Sequence, residues 1–448
     1  MMSAVEYPLT LIMTRRSAMT LGAKTALVAM TAGAATLASG APLSSSMRRE
    51  ASGKAKHFDV VIVGGGSAGA VLAARLSADP QRNVLLLEAG PDFAPDRYPA
   101  VLGNADLVAA SPEYDWHYHS DDAARLGHDI AIPRGRAIGG SSAVNAAVAM
   151  RARPGDFARW AARGIEGWAW PEVLSAYRAM ENTPTGDDAW HGRSGPFPVR
   201  QRTAAQNTVS MRAFVAAAES VGLPPADDFN GARQHGVGPY PLNVINGTRI
   251  NTGMAYLTAD VRARPNLTIR GHAEVDRLLV ERERATGVVL VDGELVPAGE
   301  VILSAGAIGS PAILLRSGIG PQGHLREMGI STVVDLPVGE RLQEHPFFFN
   351  VYSLKASAKA MTPAGGAIAW TRSLHAAPDD LDLHISGTHL IDPKASPTGG
   401  AIVLACAVTL PMSNGCVRLA SRDPRVAPHI RYNFFEQEND LDRMVEAV

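Results

Sequence analysis

From Asp59 to Val63 the chain is apolar almost without interruption, and it breaks at Gly64-Gly65-Gly66. A short Val/Ile run closed by glycines predicts a buried β-strand that runs into a tight turn. Beyond the turn the period changes. Ala68, Ala70, Val71, Ala73, Ala74 and Leu76 place small and apolar residues at helical spacing. A second apolar run, Val84 to Leu87, predicts another strand, and Glu88 ends it.

Further along, Pro and Asp dominate to Pro112 and predict loop with short helical turns. Trp116, His117, Tyr118 and His119 follow and read as packing aromatics, with the lining of a bound group as the alternative. Residues 156–182 predict helix with an aromatic surface of Trp160, Trp168, Trp170 and Tyr177. Residues 183–200 predict a loop around His191, residues 203–222 an amphipathic helix, and Thr258–Arg264 a helical turn. Between 267 and 304 the pattern turns to β. Leu267–Arg270, Ala273–Glu281, Val288–Asp292 and Leu295–Pro297 predict strands, with hairpin turns at Thr286-Gly287 and Asp292-Gly293. Val301–Ser304 predicts a separate buried strand that enters a small-residue turn and a helix over residues 304–320. A β-rich stretch then runs through Cys416, and the last residues predict a helix.

The glycines of the opening stretch have the spacing Gly64-x-Gly66-x-x-Gly69. This is the dinucleotide fingerprint. Gly64 permits the turn, Gly66 lets a pyrophosphate approach the backbone, and Gly69 lets helix and strand pack closely. The helix start then offers free N–H groups to negative charge. Glu88 stands about 20 residues on, where an acid accepts hydrogen bonds from a ribose. The bland alternative is a glycine turn with no ligand. A second cradle follows at Arg136 and Gly139-Gly140-Ser141-Ser142. A small-residue helix is expected to start near Ser142, leaving the Ser141 and Ser142 hydroxyls free for a phosphate or a polar ring edge, with Asn145 one turn on. By itself this pattern is only a helix cap. Beside the first cradle and the turn after Ser304, it points to an extended dinucleotide held along its length.

Composition narrows the function classes. A chain of 448 residues predicts two or three lobes. The formal net charge of −2 and the lack of a long basic run argue against a nucleic-acid partner. Cys406 and Cys416 are the only cysteines and read as free packed thiols, with a single bridge as the alternative. Asp227-Asp228 and Asp379-Asp380 read as solvated loop acids, and no metal motif is present. Residues 1–56 read as a leader and linker. Thr14-Arg15-Arg16-Ser17 precedes a weakly apolar run from Ala18 to Ala38, then small residues at Ala38, Ser39, Gly40 and Ala41. That layout resembles a twin-arginine signal and predicts a periplasmic or secreted protein, with the cytoplasm as the alternative.

Three ordered segments resemble the glucose–methanol–choline (GMC) oxidoreductase family. They are Gly135–Asn145, Gly306–Pro311 through Ser317–Gly320, and Val338–Pro346. The resemblance covers about residues 57–448. It implies an α/β fold: a Rossmann-like FAD-binding domain of GMC type with a β-sheet-plus-helices substrate domain. The expected division is residues 57–155 with 225–342 for FAD, and 156–224 with 343–448 for substrate. By analogy Gly64, Gly66, Ser67, Ala68, Gly69 and Glu88 hold the ADP half. Arg136, Gly139, Gly140, Ser142, Asn145 and Ala146 lie along the pyrophosphate and flavin, and Val275 meets the adenine through its backbone. Some members attach FAD to a histidine just before the position of Asn145. Here Val144 stands there, so non-covalent FAD is expected.

The implied activity is oxidation of an alcohol to an aldehyde or ketone, by hydride transfer to flavin N5. The substrate is a small-molecule alcohol, and oxygen or a quinone-type carrier takes the electrons. A cyanohydrin-cleaving lyase and a non-catalytic FAD-binding remnant are the rival readings. The family base is a histidine in a segment expected after the point where this sequence stops. The chain therefore reads as a truncated or frameshifted member, or an incomplete reading of the gene, and its activity in this form is expected to be impaired. His345 reads as structural or cofactor-adjacent, and His384, His389 and His429 as packed or exposed histidines, so no catalytic residue is assigned.

Overall fold

A computed structural model of the chain describes residues 57–107 and 111–448. The leader and linker read at residues 1–56 lie outside the described residues. The two opening apolar runs form β1 (Phe58–Val63) and β2 (Val84–Leu87), joined through α1 (Ser67–Leu76). Later strands are β3 (Gly236–Pro239), β4 (Leu267–Arg270), β5 (Val275–Glu281), β6 (Arg284–Leu290) and β7 (Leu295–Leu303). They are followed by β8 (Phe347–Ser353), β9 (Ala367–Thr371), β10 (Leu383–Thr388) and β11 (Ala401–Val408). The longer helices after α1 are α2 (Pro154–Ala161), α3 (Trp170–Met180), α4 (Val209–Ser220), α5 (Gly306–Arg316) and α6 (Glu438–Ala447).

Two sheets organise the chain. The first has six strands in the order β4-β2-β1-β7-β6-β5, and the second has five in the order β8-β11-β10-β9-β3. The first is parallel around β1 and antiparallel at its β5–β6–β7 end. Its centre explains the unbroken apolar runs. Val61, Val63, Leu85 and Leu87 pack on one face with Val288 and Ile313. Val60, Ile62, Val84 and Leu86 pack on the other with Ala70 and Ala73 of α1. A strand buried on both faces has no polar positions to alternate with, and each such side chain contributes about 1.5–3 kcal/mol over leaving it exposed. Residues 236–239, grouped with the first lobe in the sequence division, supply an edge strand of the second sheet.

Several sequence expectations need correction. The strands expected at Leu295–Pro297 and Val301–Ser304 are one nine-residue strand, β7. Its first part pairs antiparallel with β6, and from Ala298 it pairs parallel with β1. Pro297 and Gly299 suggest a break in the sequence, but at Gly299 a side-chain carbon would crowd Asp59 O at 3.0 Å, so the glycine serves close strand approach. The first hairpin turn falls at Arg282-Glu283, both with positive φ (50° and 64°), and not at Thr286-Gly287. Gly287 lies inside β6, where a Cβ would stand 2.3 Å from Val296 O. The helix expected over 156–182 is broken between α2 and α3, where Gly164 and Gly167 take positive φ (81° and 77°). Phe157 joins the two helices, with Trp160 at 5.4 Å and Trp170 at 5.9 Å. Cys406 and Cys416 are both free, as the sequence suggests.

The acids read as solvated do more than that. Asp380 pairs with Arg159 at 2.7 Å. Asp228 anchors a buried network that fastens the 183–200 loop. His191 is 4% exposed. Its Nε2 lies 2.8 Å from Asp228 Oδ2, and its Nδ1 lies 3.2 Å from both oxygens of Glu181. Glu181 also pairs with Arg151. Burial alone would lower the imidazole, but the two carboxylates override it and hold His191 up at about 9. The same contacts hold Glu181 and Asp228 below their ordinary values, against burial.

The linkage signs follow. The folded His191 lies above its unfolded value of 6.5, so its contribution is full below that pH and is lost as pH rises through about 9. The depressed acids contribute above their unfolded values and lose that contribution as pH falls. His191→Gln is expected to lower stability by about 3 kcal/mol near pH 6 and to flatten the decline between pH 6.5 and 9. Thermal unfolding of both proteins across that range checks it. Parallel profiles would rule out His191 as the source.

Candidate functional site

Three backbone turns meet where the central strands of the first sheet end. β1 delivers Val63 to Gly64, whose N–H donates to Leu87 O at 2.8 Å. A Cβ on Gly64 (φ +95°) would stand 2.7 Å from Ser304 O, and one on Gly69 would stand 1.9 Å from Gly64 O. The second turn docks directly on the first. Gly139 N donates to Gly65 O at 2.8 Å, and a Cβ on Gly140 would lie 2.6 Å from Gly66 Cα. The third turn follows β7. Ser304 N donates to Val63 O at 2.8 Å, and its hydroxyl donates to Gly64 O at 2.8 Å. At Gly64, Gly69 and Gly140 the approach is too close for any Cβ, which only glycine permits.

Together the turns wall a cleft of about 810 Å³, inside the range of about 300–1,000 Å³ for small-molecule sites. The first residues of α1 and α5 line it. Neither helix has an acid in its first turn, so both present uncompensated N–H groups there. Glu88 is 5% exposed. Its Oε2 accepts from Gly65 N at 2.8 Å and its Oε1 from Gly90 N at 2.9 Å. Burial raises this carboxyl above its usual range, against the backbone donors and Arg136. Arg136 donates to Glu274 Oε2 at 3.0 Å and lies 5.0 Å over the Trp116 ring. Its Nε is buried without a hydrogen-bond partner. Arg316, also on the cleft, donates from Nε to Asp276 Oδ1 and O, both at 2.9 Å. Burial lowers its pKa, and Asp276 opposes that shift.

Of the residues named from sequence, Gly64, Gly66, Ser67, Ala68, Glu88, Arg136, Gly140 and Val275 line the cleft. Gly69, Gly139 and Ser142 stand behind its wall and hold the turns together. Asn145 is exposed and accepts from Ala147 N at 3.0 Å through Oδ1. It and Ala146 lie outside the cleft lining. No long helix starts near Ser142. The segment is a single 3-10 turn, Gly140–Ala143. Of its two hydroxyls, that of Ser142 is engaged both as donor and as acceptor, while Ser141 lines the cleft. Ser142 Oγ donates to Gly139 O at 2.6 Å and accepts from Thr252 N at 3.1 Å, while Ser141 Oγ accepts from Gly135 N at 3.2 Å.

Trp116, His117 and Tyr118 line the cleft instead of only packing, and Trp116 stacks parallel on Tyr118 at 5.7 Å. Asp115, Arg134, Glu274 and the Pro424–Pro428 loop also line it. The sequence carries no periodic signal for these residues, because each reaches the cleft from a separate loop or strand end. The four histidines weighed as a base lie outside the lining. His384 Nε2 sits 2.8 Å from Tyr240 Oη, and burial, with His345 nearby, pushes it down to about 3. His389 uses both nitrogens, with Thr208 and Ala401 O, and His429 pairs with Asp121.

Fold and cleft define an α/β protein built to hold a long dinucleotide cofactor on backbone turns. Comparison with known proteins makes this specific. The sequence matches the GMC oxidoreductase family over residues 58–347 and again over 411–448. It is 35% identical over 424 residues to an oxygen-dependent choline dehydrogenase of Rhizobium etli, covering 87% of this chain and 76% of that protein. It is 39% identical over 320 residues to a pyridoxine 4-oxidase of Microbacterium luteolum, covering 69% and 61%. Among solved structures, a pyridoxine 4-oxidase from Mesorbium loti superposes with a TM-score of 0.79 at 35% identity, over 87% of this chain and 79% of that one. The chain belongs to the GMC oxidoreductase family, and its cofactor is FAD. The site suits that group. Its turns have no room for side chains where they meet, two helix starts are free of acids, and an orphaned Arg136 Nε stands beside them.

Gly140→Ala would set a Cβ against Gly66 and strain the positive φ at that position (+49°). The expected cost is about 1–3 kcal/mol, with a several-fold lower FAD-to-protein ratio and unchanged secondary structure. Flavin absorbance per protein and circular dichroism check this. Full FAD occupancy in the variant would show that the contact between the first two turns does not shape the site.

Proposed function

We propose that this chain oxidises a small-molecule alcohol to an aldehyde or ketone, with non-covalently bound FAD as hydride acceptor. The observation that carries the reading is the meeting of two glycine turns, the Ser304 turn and two helix starts at one cleft. Gly64, Gly66, Ser67 and Ala68 would hold the ADP half. Glu88 retains acceptor capacity for a ribose hydroxyl beyond its two backbone donors. Val275 would meet the adenine through its backbone, and Arg136 with Gly140 would carry the cofactor toward its flavin end. Bound there, FAD supplies N5 as the atom that receives hydride.

The chain's own residues bind and orient. Backbone N–H groups at the starts of α1 and α5 favour the pyrophosphate charge, and Arg136 and Arg316, each paired with a carboxylate, place guanidinium groups on the lining. The hydroxyl proton needs an acceptor of near-neutral pKa. His384, neutral and tied to Tyr240, does not suit that role, and no residue is assigned to it. Val144 offers only hydrocarbon where some family members bond the flavin, which supports non-covalent attachment. Relatives named for choline and pyridoxine support the substrate class. We keep export by the twin-arginine-like leader as part of the same proposal.

Anaerobic addition of choline, pyridoxine, aliphatic and aromatic alcohols to the FAD-loaded chain is expected to bleach the flavin with at least one of them. A loaded chain that no alcohol bleaches would overturn the oxidation. Acid precipitation is expected to release FAD into the supernatant, whereas flavin left on the protein pellet would contradict non-covalent binding. Replacing Arg15 and Arg16 by lysine is expected to retain the chain in the cytoplasm on cell fractionation; an unchanged distribution would remove the export proposal.

A further inference from the structure

Behind the second glycine turn lies a cation without a counter-charge. Arg249 is 1% exposed and is one of the largest fully buried side chains. It donates from Nη1 to Leu102 O at 3.0 Å and to Ala143 O at 2.5 Å, and from Nη2 to Leu107 O. Its Nε is buried with no partner. Among the described residues no carboxylate pairs with it. The other buried arginines are treated differently: Arg151 is paired with Glu181, and Arg443 with Asp382 and Asp440. Burying an unpaired charge is costly, and burial brings this guanidinium down to about 10 with nothing opposing it.

The placement supplies a reason for keeping it. Ala143 closes the 3-10 turn Gly140–Ala143. Gly140 and Ser141, at the other end of the turn, line the cleft. The cation therefore meets the carbonyl end of a turn whose other end borders the cleft. Its partners are neutral carbonyls, so the charge is not cancelled locally and acts across one turn of buried backbone. The neighbouring residues fix this geometry. Thr252 N donates to Ser142 Oγ at 3.1 Å, and Asn251 fills the space over Gly139, where a Cβ would meet its Oδ1 at 2.6 Å.

We infer that Arg249 is an electrostatic positioning residue, a fixed charge behind the second turn that favours the reduced, more negative state of bound FAD. The inference rests on the reading that FAD lies on this turn. Hydride brings two electrons and one proton, so the isoalloxazine gains one negative charge on reduction. A cation already desolvated nearby stabilises that charge without reorganisation.

The test compares the FAD-loaded full chain with Arg249→Gln and Arg249→Lys. The two-electron potential of the bound flavin is measured by dye equilibration at pH 7, with thermal unfolding recorded beside it. Gln removes the charge and keeps part of the hydrogen bonding. It is expected to lose about tenfold in the preference for reduced over oxidised FAD, a potential more negative by about 30 mV for a two-electron couple. Lys keeps the charge and gives up the fork, and is expected to stay within about threefold of wild type while unfolding at lower temperature. A folded Gln variant with an unchanged potential overturns the inference. So does a Lys variant that shifts as far as tenfold, which also decides the matter if the Gln variant does not accumulate. A wild-type chain that takes up no FAD overturns the reading of the cleft and this inference with it.

Discussion

The structure depends on backbone meeting backbone at the ends of β1, β2 and β7. The Gly64–Gly66 and Gly139–Gly140 turns touch through carbonyls, amides and α-carbons, and the Ser304 turn joins the first through its amide and its short hydroxyl. Side-chain packing tolerates a methylene gained or lost by rotamer adjustment. A contact between two main chains has no such freedom, so register errors in either strand carry straight into the site. The wide apolar packing on both faces of β1 and β2 holds the strand ends in place, and the site inherits its precision from the sheet.

The first βαβ unit was legible in the sequence because several independent signals coincide there. Residues 60–63 and 84–87 are apolar on both faces, the glycines have fixed spacing, and Glu88 ends the second run. Seven of the eight cofactor residues that line the cleft sit on or beside those turns, whose chemistry is local; Val275, on β5, came only from the family resemblance. What could not be read is non-local. β7 looks like two strands because Pro297 and Gly299 are breakers by composition, while the pairing partners that overrule them, β6 and β1, lie elsewhere in the chain. Ser142 looks like a phosphate ligand until Thr252, 110 residues away, takes its hydroxyl. Trp116 and Arg316 reach the cleft from unrelated elements, and no spacing rule connects them.

The buried charges follow two regimes. In the Arg151–Glu181–His191–Asp228 network, opposite charges satisfy one another and the result is mechanical, a loop fastened to a helix end. Beneath the second turn the guanidinium of Arg249 meets only carbonyls, and its field is left over. The same residue type thus serves as a fastener in one place and as a source of potential in the other. The difference is whether a carboxylate stands within reach.

The change of partners within β7 also sets an order of events during synthesis. Its first three residues pair with the neighbouring hairpin strand, a local contact that forms cheaply. Its remaining residues must find β1, which left the ribosome far earlier, and Ser304 bonds across a sequence separation of 241 residues. Closing so long a loop is a slow, non-local step. Until it happens the cleft has two walls out of three. From the emergence of the second turn until β7 docks, the nascent chain therefore holds a partly built dinucleotide site, and firm capture of the cofactor is confined to the period after β7 has docked.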